Sequence, residues 1–210
     1  MSDRLAVLPE PLRLLARRGE LKRFRKGHVL IEEGERGDTI FIILSGRVRV
    51  FGSGDKDREI TYGTYCVGEY VGEMSLDGGP RSASVVAIEP CECVMLTRQT
   101  LQQHIVERPE FAFELLSKVI RRARAATVSA KQLALNDVYG RLVLLLNSLA
   151  VPQADGTRAV GERLTHQEIS NRLGCSREMV SRLMKDLEAG GYVRTHDYRL
   201  RLLSALPVRW

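Results

Sequence analysis

The chain has 210 residues, of which 44% are hydrophobic and 28% charged, and its formal net charge is +6. That content fills one large or two modest cores and leaves a polyanionic partner open, while no apolar run reaches the length of a bilayer span. Four scattered cysteines, Cys66, Cys91, Cys93 and Cys175, exclude a disulfide scaffold, and the four histidines at 28, 104, 166 and 196 are equally dispersed. Buried thiols are expected, with no metal centre and no catalytic constellation; the chain does not read as an enzyme. The longest uncharged run, Leu142 to Ala154, is broken by Asn147, Ser148 and Pro152, and Asp3, Arg4, Glu10 and Arg13 interrupt any signal-peptide core. A cytoplasmic protein without membrane contact is expected.

From about Glu20 to Thr97 short apolar or alternating runs are punctuated by glycine: His28 to Ile31, Thr39 to Leu44, Arg47 to Phe51, Ala83 to Ile88 and Cys93 to Leu96. Many short strands with frequent turns predict a small β-barrel or jelly roll, with hairpin turns at 34–38 and 52–57. Cys91 and Cys93 would share one face of a strand. Within this region the run Val71 to Val85 gathers a carboxylate at Glu73, one guanidinium, Arg81, and several small residues. A glycine-rich turn lets backbone N–H groups converge on an anion, and an arginine adds a fork matched to phosphate. A carboxylate there would repel phosphate unless it faces a hydroxyl, so the implied ligand carries both phosphate and sugar. A solvated surface turn is the alternative reading of the Gly-Gly-Pro stretch.

At Pro109 the period becomes helical. Ala112, Leu116, Val119, Ala123, Ala126, Ala130 and Leu133 recur at alternating steps of four and three, a heptad seam suited to pairing with an identical helix. Phe111, Phe113 and Ile120 lie off that seam and are expected to pack inward; packing of the seam on its own barrel is the competing account. Asp137 caps a further helix through Ala150, and 152–157 reads as a loop.

The run Leu164 to Glu188 has the pattern of a helix-turn-helix. Thr165 and Glu168 form a capping box, Gly174 supplies the tight turn, Ser176 caps the second helix, and Ile169, Leu173, Val180, Leu183 and Leu187 define the buried faces. Gly190 and Gly191 end the second helix, and Tyr192 to Leu203 alternates like a β wing. Arg177, Glu178 and Arg182 sit on the exposed N-terminal part of the second helix and suit base edges in a major groove, with Glu178–Arg182 ion pairing as the alternative. Thr165, His166, Ser176 and Lys185 are candidate phosphate contacts.

Two motifs, Gly-Glu-Met-Ser-Leu followed by Gly-Pro-Arg-Ser-Ala and the later Gly-Cys-Ser-Arg-Glu, resemble those of the cyclic AMP receptor protein/FNR family, and the resemblance runs from about residue 20 to 205. It implies an α+β chain with an N-terminal β jelly-roll cyclic-nucleotide-binding domain (1–108), a long dimerisation helix (109–136) and a C-terminal winged helix-turn-helix domain (137–210). It gives the ribose hydroxyl to Glu73 and the phosphate to Arg81, with Gly72, Met74 and Ser82 around them. It brings Arg122 to the cassette glutamate and sets Thr127 beside the base. Ala126 stands where the family pattern has a second hydroxyl, so cyclic AMP is the expected effector and cyclic GMP or cyclic di-GMP are alternatives, with no metal. The implied partners are double-stranded DNA carrying TGTGA-like palindromes, a second copy of the chain joined through 112–133, and RNA polymerase. A ligand-independent regulator or a redox sensor on the same fold is a further alternative; an FNR-like cluster is disfavoured because no cysteine precedes Cys66.

Overall fold

The computed structural model describes residues 2–54, 58–196 and 199–207. Residues 55–57 of the 52–57 turn and residues 197 and 198 of the wing lie outside the described residues. The chain divides into two compact units, Met1–Ser53 with Thr61–Arg124, and Gly54–Ile60 with Ala125–Trp210.

The first unit is built on eight strands: β1 (Glu20–Phe24), β2 (Val29–Ile31), β3 (Thr39–Ser45), β4 (Val48–Ser53), β5 (Glu59–Tyr65), β6 (Tyr70–Val71), β7 (Ser84–Ala87) and β8 (Cys91–Thr97). They form two four-stranded sheets in the orders β1-β8-β3-β6 and β2-β7-β4-β5. Because β2 and β3 belong to different sheets, residues 34–38 are a crossing between sheets and not the expected hairpin turn. β3 explains its own composition. Ile40 and Ile42 pair with Leu96 and Val94 of β8, and Phe41 and Ile43 pair with Met95 and Cys93. The first set joins an outer core and the second an inner one. A strand covered on both faces has no polar face to keep, so it reads as a continuous apolar run.

The outer core is closed by α1 (Ser2–Leu5), α2 (Glu10–Ala16), α3 (Arg98–Glu107) and the start of α4 (Glu110–Leu135). Leu12 and Leu15 of α2 are 3% and 1% exposed, each contributing roughly 1.5–3 kcal/mol by leaving water. α3 starts where the Thr97 hydroxyl accepts the Thr100 N–H at 3.2 Å. Phe111 packs inward as expected, but Phe113 and Ile120 are 73% and 48% exposed. The inward face instead carries Phe111, Leu115, Lys118 and Arg122, spaced three and four apart, while Ala112 and Val119 of the expected seam are half-buried. The exposed apolar stripe therefore runs Phe113, Leu116, Ile120 and Ala123, about one residue round the helix from the expected seam. Cys91 and Cys93 are buried on one face of β8, and burial pushes the Cys93 thiol up to about 12, keeping it protonated; Cys66, by contrast, is exposed.

The second unit packs α5 (Val138–Leu149), α6 (His166–Leu173) and α7 (Arg177–Ala189) with β9 (Ala150–Pro152), β10 (Arg158–Val160), β11 (Val193–His196) and β12 (Arg199–Leu202). The strands form one sheet in the order β11-β12-β10-β9. The 152–157 stretch is thus the turn of a small hairpin, β9 pairing with β10. Asp137 caps α5, its Oδ1 accepting the Gly140 N–H at 2.7 Å. Leu142, Leu146, Ile169, Val180, Met184, Leu187 and Leu202 share one core. Leu183 is only half-buried, and Met184 takes the central place beside it.

Candidate nucleotide pocket and nucleic-acid interface

The pocket forms where β6 ends in a 3-10 turn, Glu73–Ser75. Gly72 precedes that turn at φ 95, and a Cβ there would stand 2.7 Å from the Thr39 carbonyl and 3.0 Å from Arg81 Nη1. Only glycine meets both demands, a left-handed backbone and an empty space beside the guanidinium. The turn swings Glu73 inward until its side chain is 1% exposed, where it forms an ion pair with Arg122 of α4. Glu73 Oε2 is buried with no hydrogen-bond partner among the described residues. A buried acceptor of that kind is costly unless a donor arrives, and a ligand hydroxyl is such a donor.

Arg81 is 7% exposed and held by three oxygens. Its Nη1 donates to the Gly72 carbonyl at 2.9 Å and to Ser75 Oγ at 2.8 Å, and its Nη2 donates to Thr39 Oγ1 at 2.9 Å. Its backbone N–H donates to the Glu35 carbonyl and its own carbonyl accepts from Gly34, which ties the cassette to the 33–38 crossing. A Cβ on Gly37 would stand 2.8 Å from Arg81 Nη2, so Gly37 keeps that face of the guanidinium open. Burial pulls the Arg81 guanidinium down from its ordinary value, opposed by the charges of Asp38, Glu35 and Glu73. An arginine stays protonated through such a shift, so the pocket holds a fixed cation.

α4 closes the pocket with two cations. Arg122 donates to the Tyr70 carbonyl and lies over the rings of Tyr65 and Tyr70 at 4.5 and 5.6 Å. Burial works against its charge, but the hydrogen bond and ion pair with Glu73 prevail and hold its pKa above the ordinary value. Lys118 Nζ donates to the Gly68 carbonyl at 3.2 Å and sits 4.3 Å from the Tyr70 ring centroid. Glu73, Arg81 and Arg122 are thus brought together with Gly72. Met74 and Ser82 lie exposed at the edge of the cassette, and Thr127 is exposed further along α4. Ser75, Thr39, Tyr65 and Tyr70 escaped the sequence reading, although Ser75 stands in the same short motif as Glu73.

In the second unit the predicted caps are present. Thr165 Oγ1 accepts the Glu168 N–H at 3.2 Å while Glu168 Oε2 accepts the Thr165 N–H at 2.7 Å. Gly174 turns at φ 65, and Ser176 Oγ accepts the Met179 N–H at 3.2 Å. α7 buries Val180, Met184 and Leu187 and exposes Arg177, Glu178, Arg182 and Lys185. Arg177, Glu178 and Arg182 are exposed and make no ion pair among the described residues. Hydrogen bonds from its own N–H and from Ser176 hold the Glu178 carboxyl below its ordinary range. Thr165 and His166 are half-buried at the start of α6, and Ser176 is exposed. Among the described residues no group of three or more His, Cys, Asp or Glu converges to hold a metal ion.

A jelly-roll nucleotide pocket and a winged helix-turn-helix on one chain define a cyclic-nucleotide-responsive transcription regulator. Residues 21–108 match the cyclic nucleotide-binding domain family and residues 163–192 match the crp family of bacterial regulatory proteins. The chain is 32% identical to a CRP-like cAMP-activated global transcriptional regulator of Mycobacterium tuberculosis, covering 90% of this chain and 86% of that one. It is 31% identical to the cAMP-activated global transcriptional regulator CRP of Escherichia coli, covering 84% and 86%. Among solved structures it superposes on the c-di-GMP responsive global regulator CLP of Xanthomonas campestris with a TM-score of 0.82 at 25% identity, covering 92% of this chain and 98% of that one. The chain belongs to the crp family of bacterial regulatory proteins, whose members bind DNA to regulate transcription and are not enzymes.

Proposed function

We propose that this protein is a homodimeric, cytoplasmic transcription regulator gated by cyclic AMP, with residues 1–108 as its nucleotide-binding domain, 109–136 as its dimerisation helix and 137–210 as its DNA-binding domain. The observation that carries the reading is the buried constellation of Glu73, Arg81 and Arg122. One carboxylate oxygen has no donor, an arginine keeps a fixed charge, and a second arginine joins the carboxylate to α4. In this reading the ribose 2′-hydroxyl donates to Glu73 and the cyclic phosphate takes Arg81 and the cassette N–H groups of Gly72, Met74 and Ser82. Arg122 and Thr127 carry the ligand's presence along α4. The exposed stripe of Phe113, Leu116, Ile120 and Ala123 is the surface for a second copy. The ligand acts by binding the DNA-competent state more tightly than the other, setting two recognition helices about 34 Å apart for successive major grooves. Arg177, Glu178 and Arg182 read TGTGA-like half-sites, Thr165, His166, Ser176 and Lys185 hold phosphates, and RNA polymerase is the downstream partner.

Cyclic AMP is favoured by the relatives named as cAMP-activated. The c-di-GMP responsive Xanthomonas campestris regulator, together with Ala126 in place of a hydroxyl, keeps cyclic di-GMP as the second reading, with cyclic GMP as a further alternative. The test is binding to a palindrome of TGTGA-like half-sites at one fixed salt concentration, with and without cyclic AMP, cyclic GMP and cyclic di-GMP. Enhancement by cyclic AMP alone, lost in Arg81→Ala, is the expected result. Weakening by cyclic di-GMP would transfer the effector role to the dinucleotide, and equal tight binding in every condition would refute gating.

A further inference from the structure

One side chain of α4 is fully buried. It is Phe111, 3% exposed, and its ring packs edge to face with His104 of α3, the centroids 5.1 Å apart and the planes at 81°. His104 is 0% exposed, and neither of its ring nitrogens has a hydrogen-bond partner among the described residues. The two rings sit on either side of an elbow. Arg108 leaves the helical region, at φ −138 and ψ 76, because the ring of Pro109 disfavours a helical residue before it. Its N–H closes α3 on the His104 carbonyl at 2.9 Å, and its own carbonyl accepts the Phe111 N–H at 3.0 Å. The charged groups facing the imidazole are Arg18, just after α2, Glu107 and Arg108 at the end of α3, and Glu110 at the start of α4. Both carboxylates are exposed and turned to arginines, Glu107 to Arg18 at 2.9 Å and Glu110 to Arg108 at 3.9 Å.

We propose that His104 is an acid-sensitive latch at the α3–α4 elbow: a proton taken up by its imidazole unseats Phe111 and frees the first turn of α4 from the outer core. A neutral imidazole stays buried at the cost of two unmade hydrogen bonds, whereas an imidazolium carries a charge and two N–H donors with no acceptor in the closed elbow. Burial, aided by Arg18 and Arg108, resists that charge more than Glu107 and Glu110 support it. Opening the elbow brings the ring to water, where it titrates near its ordinary value of about 6.5. With the proton taken only by the open form, the ratio of open to closed grows by a factor near one at pH 8, about two at pH 6.5 and about 30 at pH 5. The latch acts on the helix that carries Arg122. Under the nucleotide reading, on which this consequence rests, ligand and proton therefore work against each other, because a ligand held by Glu73 and Arg122 keeps α4 seated.

The test is amide hydrogen exchange, read by mass spectrometry on the full-length, ligand-free protein at pH 8, 6.5 and 5 and corrected for the intrinsic chemical rate at each pH. Protection across 105–116 should fall by about 30-fold from pH 8 to pH 5, while the β3 peptide, 39–45, keeps its protection. His104→Leu should make protection at 105–116 independent of pH. Since leucine changes packing as well as charge, the unsubstituted protein supplies a second measure: exchange at the imidazole C2 position should be slower at His104 than at the exposed His28, and should titrate at lower pH. Protection at 105–116 that ignores pH, that falls only in step with β3, or that keeps its pH dependence in His104→Leu would overturn the latch, as would equal C2 exchange at the two histidines. Saturating cyclic AMP at pH 5 should restore protection at the elbow. No change on adding it, with the ligand-free results as expected, would count against the nucleotide reading and leave the latch standing.

Discussion

Replacing Arg122 with leucine isolates the energetics of the pocket. The Glu73 side chain is 1% exposed and the Arg122 side chain 21% exposed, so the substitution strands a carboxylate in a site that water does not reach. Breaking a buried pair by removing one partner costs about 3–5 kcal/mol. Arg122→Leu should therefore lose about 3 kcal/mol. Adding Glu73→Gln should restore most of the loss, a coupling of about 2 kcal/mol. Urea unfolding followed by far-UV circular dichroism of the two variants measures each quantity. A deficit below about 1 kcal/mol in Arg122→Leu, or no recovery in the double variant, would refute the reasoning.

Gly72→Ala combines an unfavourable left-handed backbone with a Cβ 2.7 Å from the Thr39 carbonyl; it should cost about 2 kcal/mol or more in thermal unfolding and weaken cyclic-nucleotide binding measured by calorimetry. A 2′-deoxy analogue of cyclic AMP removes the hydroxyl expected to reach Glu73, and its calorimetric affinity should fall by about 10- to 100-fold; undiminished binding would reassign that carboxylate. His104 is fully buried against Phe111, with ring centroids 5.1 Å apart and both ring nitrogens lacking a hydrogen-bond partner among the described residues. Burial, aided by Arg18 and Arg108 and opposed by Glu107 and Glu110, holds its pKa below the ordinary value. As pH falls below about 6.5 the unfolded chain takes a proton that the folded chain refuses, so stability is full above that value and lost below it. His104→Leu should flatten the slope between pH 7.5 and 5 in urea titrations, and an unchanged slope would assign acid sensitivity elsewhere.

The parts of the molecule that were legible in the sequence are those in which a few neighbouring residues specify both geometry and chemistry. Glu73 and Arg81 flank one turn, and the Thr165–Glu168 box, the Asp137 cap and Gly174 each declare a helix boundary within a few residues. The orientation of α4 was not legible because Leu116, Ala123 and Ala130 belong equally to two heptad seams, one completed by Ala112 and Val119 and the other by Phe113 and Ile120. Alanine-rich spacing does not separate them, and the barrel decides by accepting Phe111, Leu115, Lys118 and Arg122. The last two are charged, which a search for apolar periodicity passes over. α1 and α2 escaped notice because they are short and their leucines serve a sheet face distant in sequence. Tyr65 and Tyr70 entered the pocket unannounced for a related reason: their rings meet Arg122 only after β5, β6 and α4 have converged.

β3 is clamped between two cores, with Ile40 and Ile42 in one and Phe41 and Ile43 in the other, and its first residue, Thr39, accepts a hydrogen bond from Arg81. Sliding or bending this strand would disturb both cores at once, so it behaves as a fixed wall at the back of the pocket. In the gating proposed above, a ligand bound at Arg81 meets no compliance in that wall, and the movable parts are the 33–38 crossing, the cassette turn and the Arg122 side chain that pairs with Glu73. Under that proposal the same double burial that makes β3 an unbroken apolar run turns ligand-driven movement outward, toward the helix on which Arg122 rides.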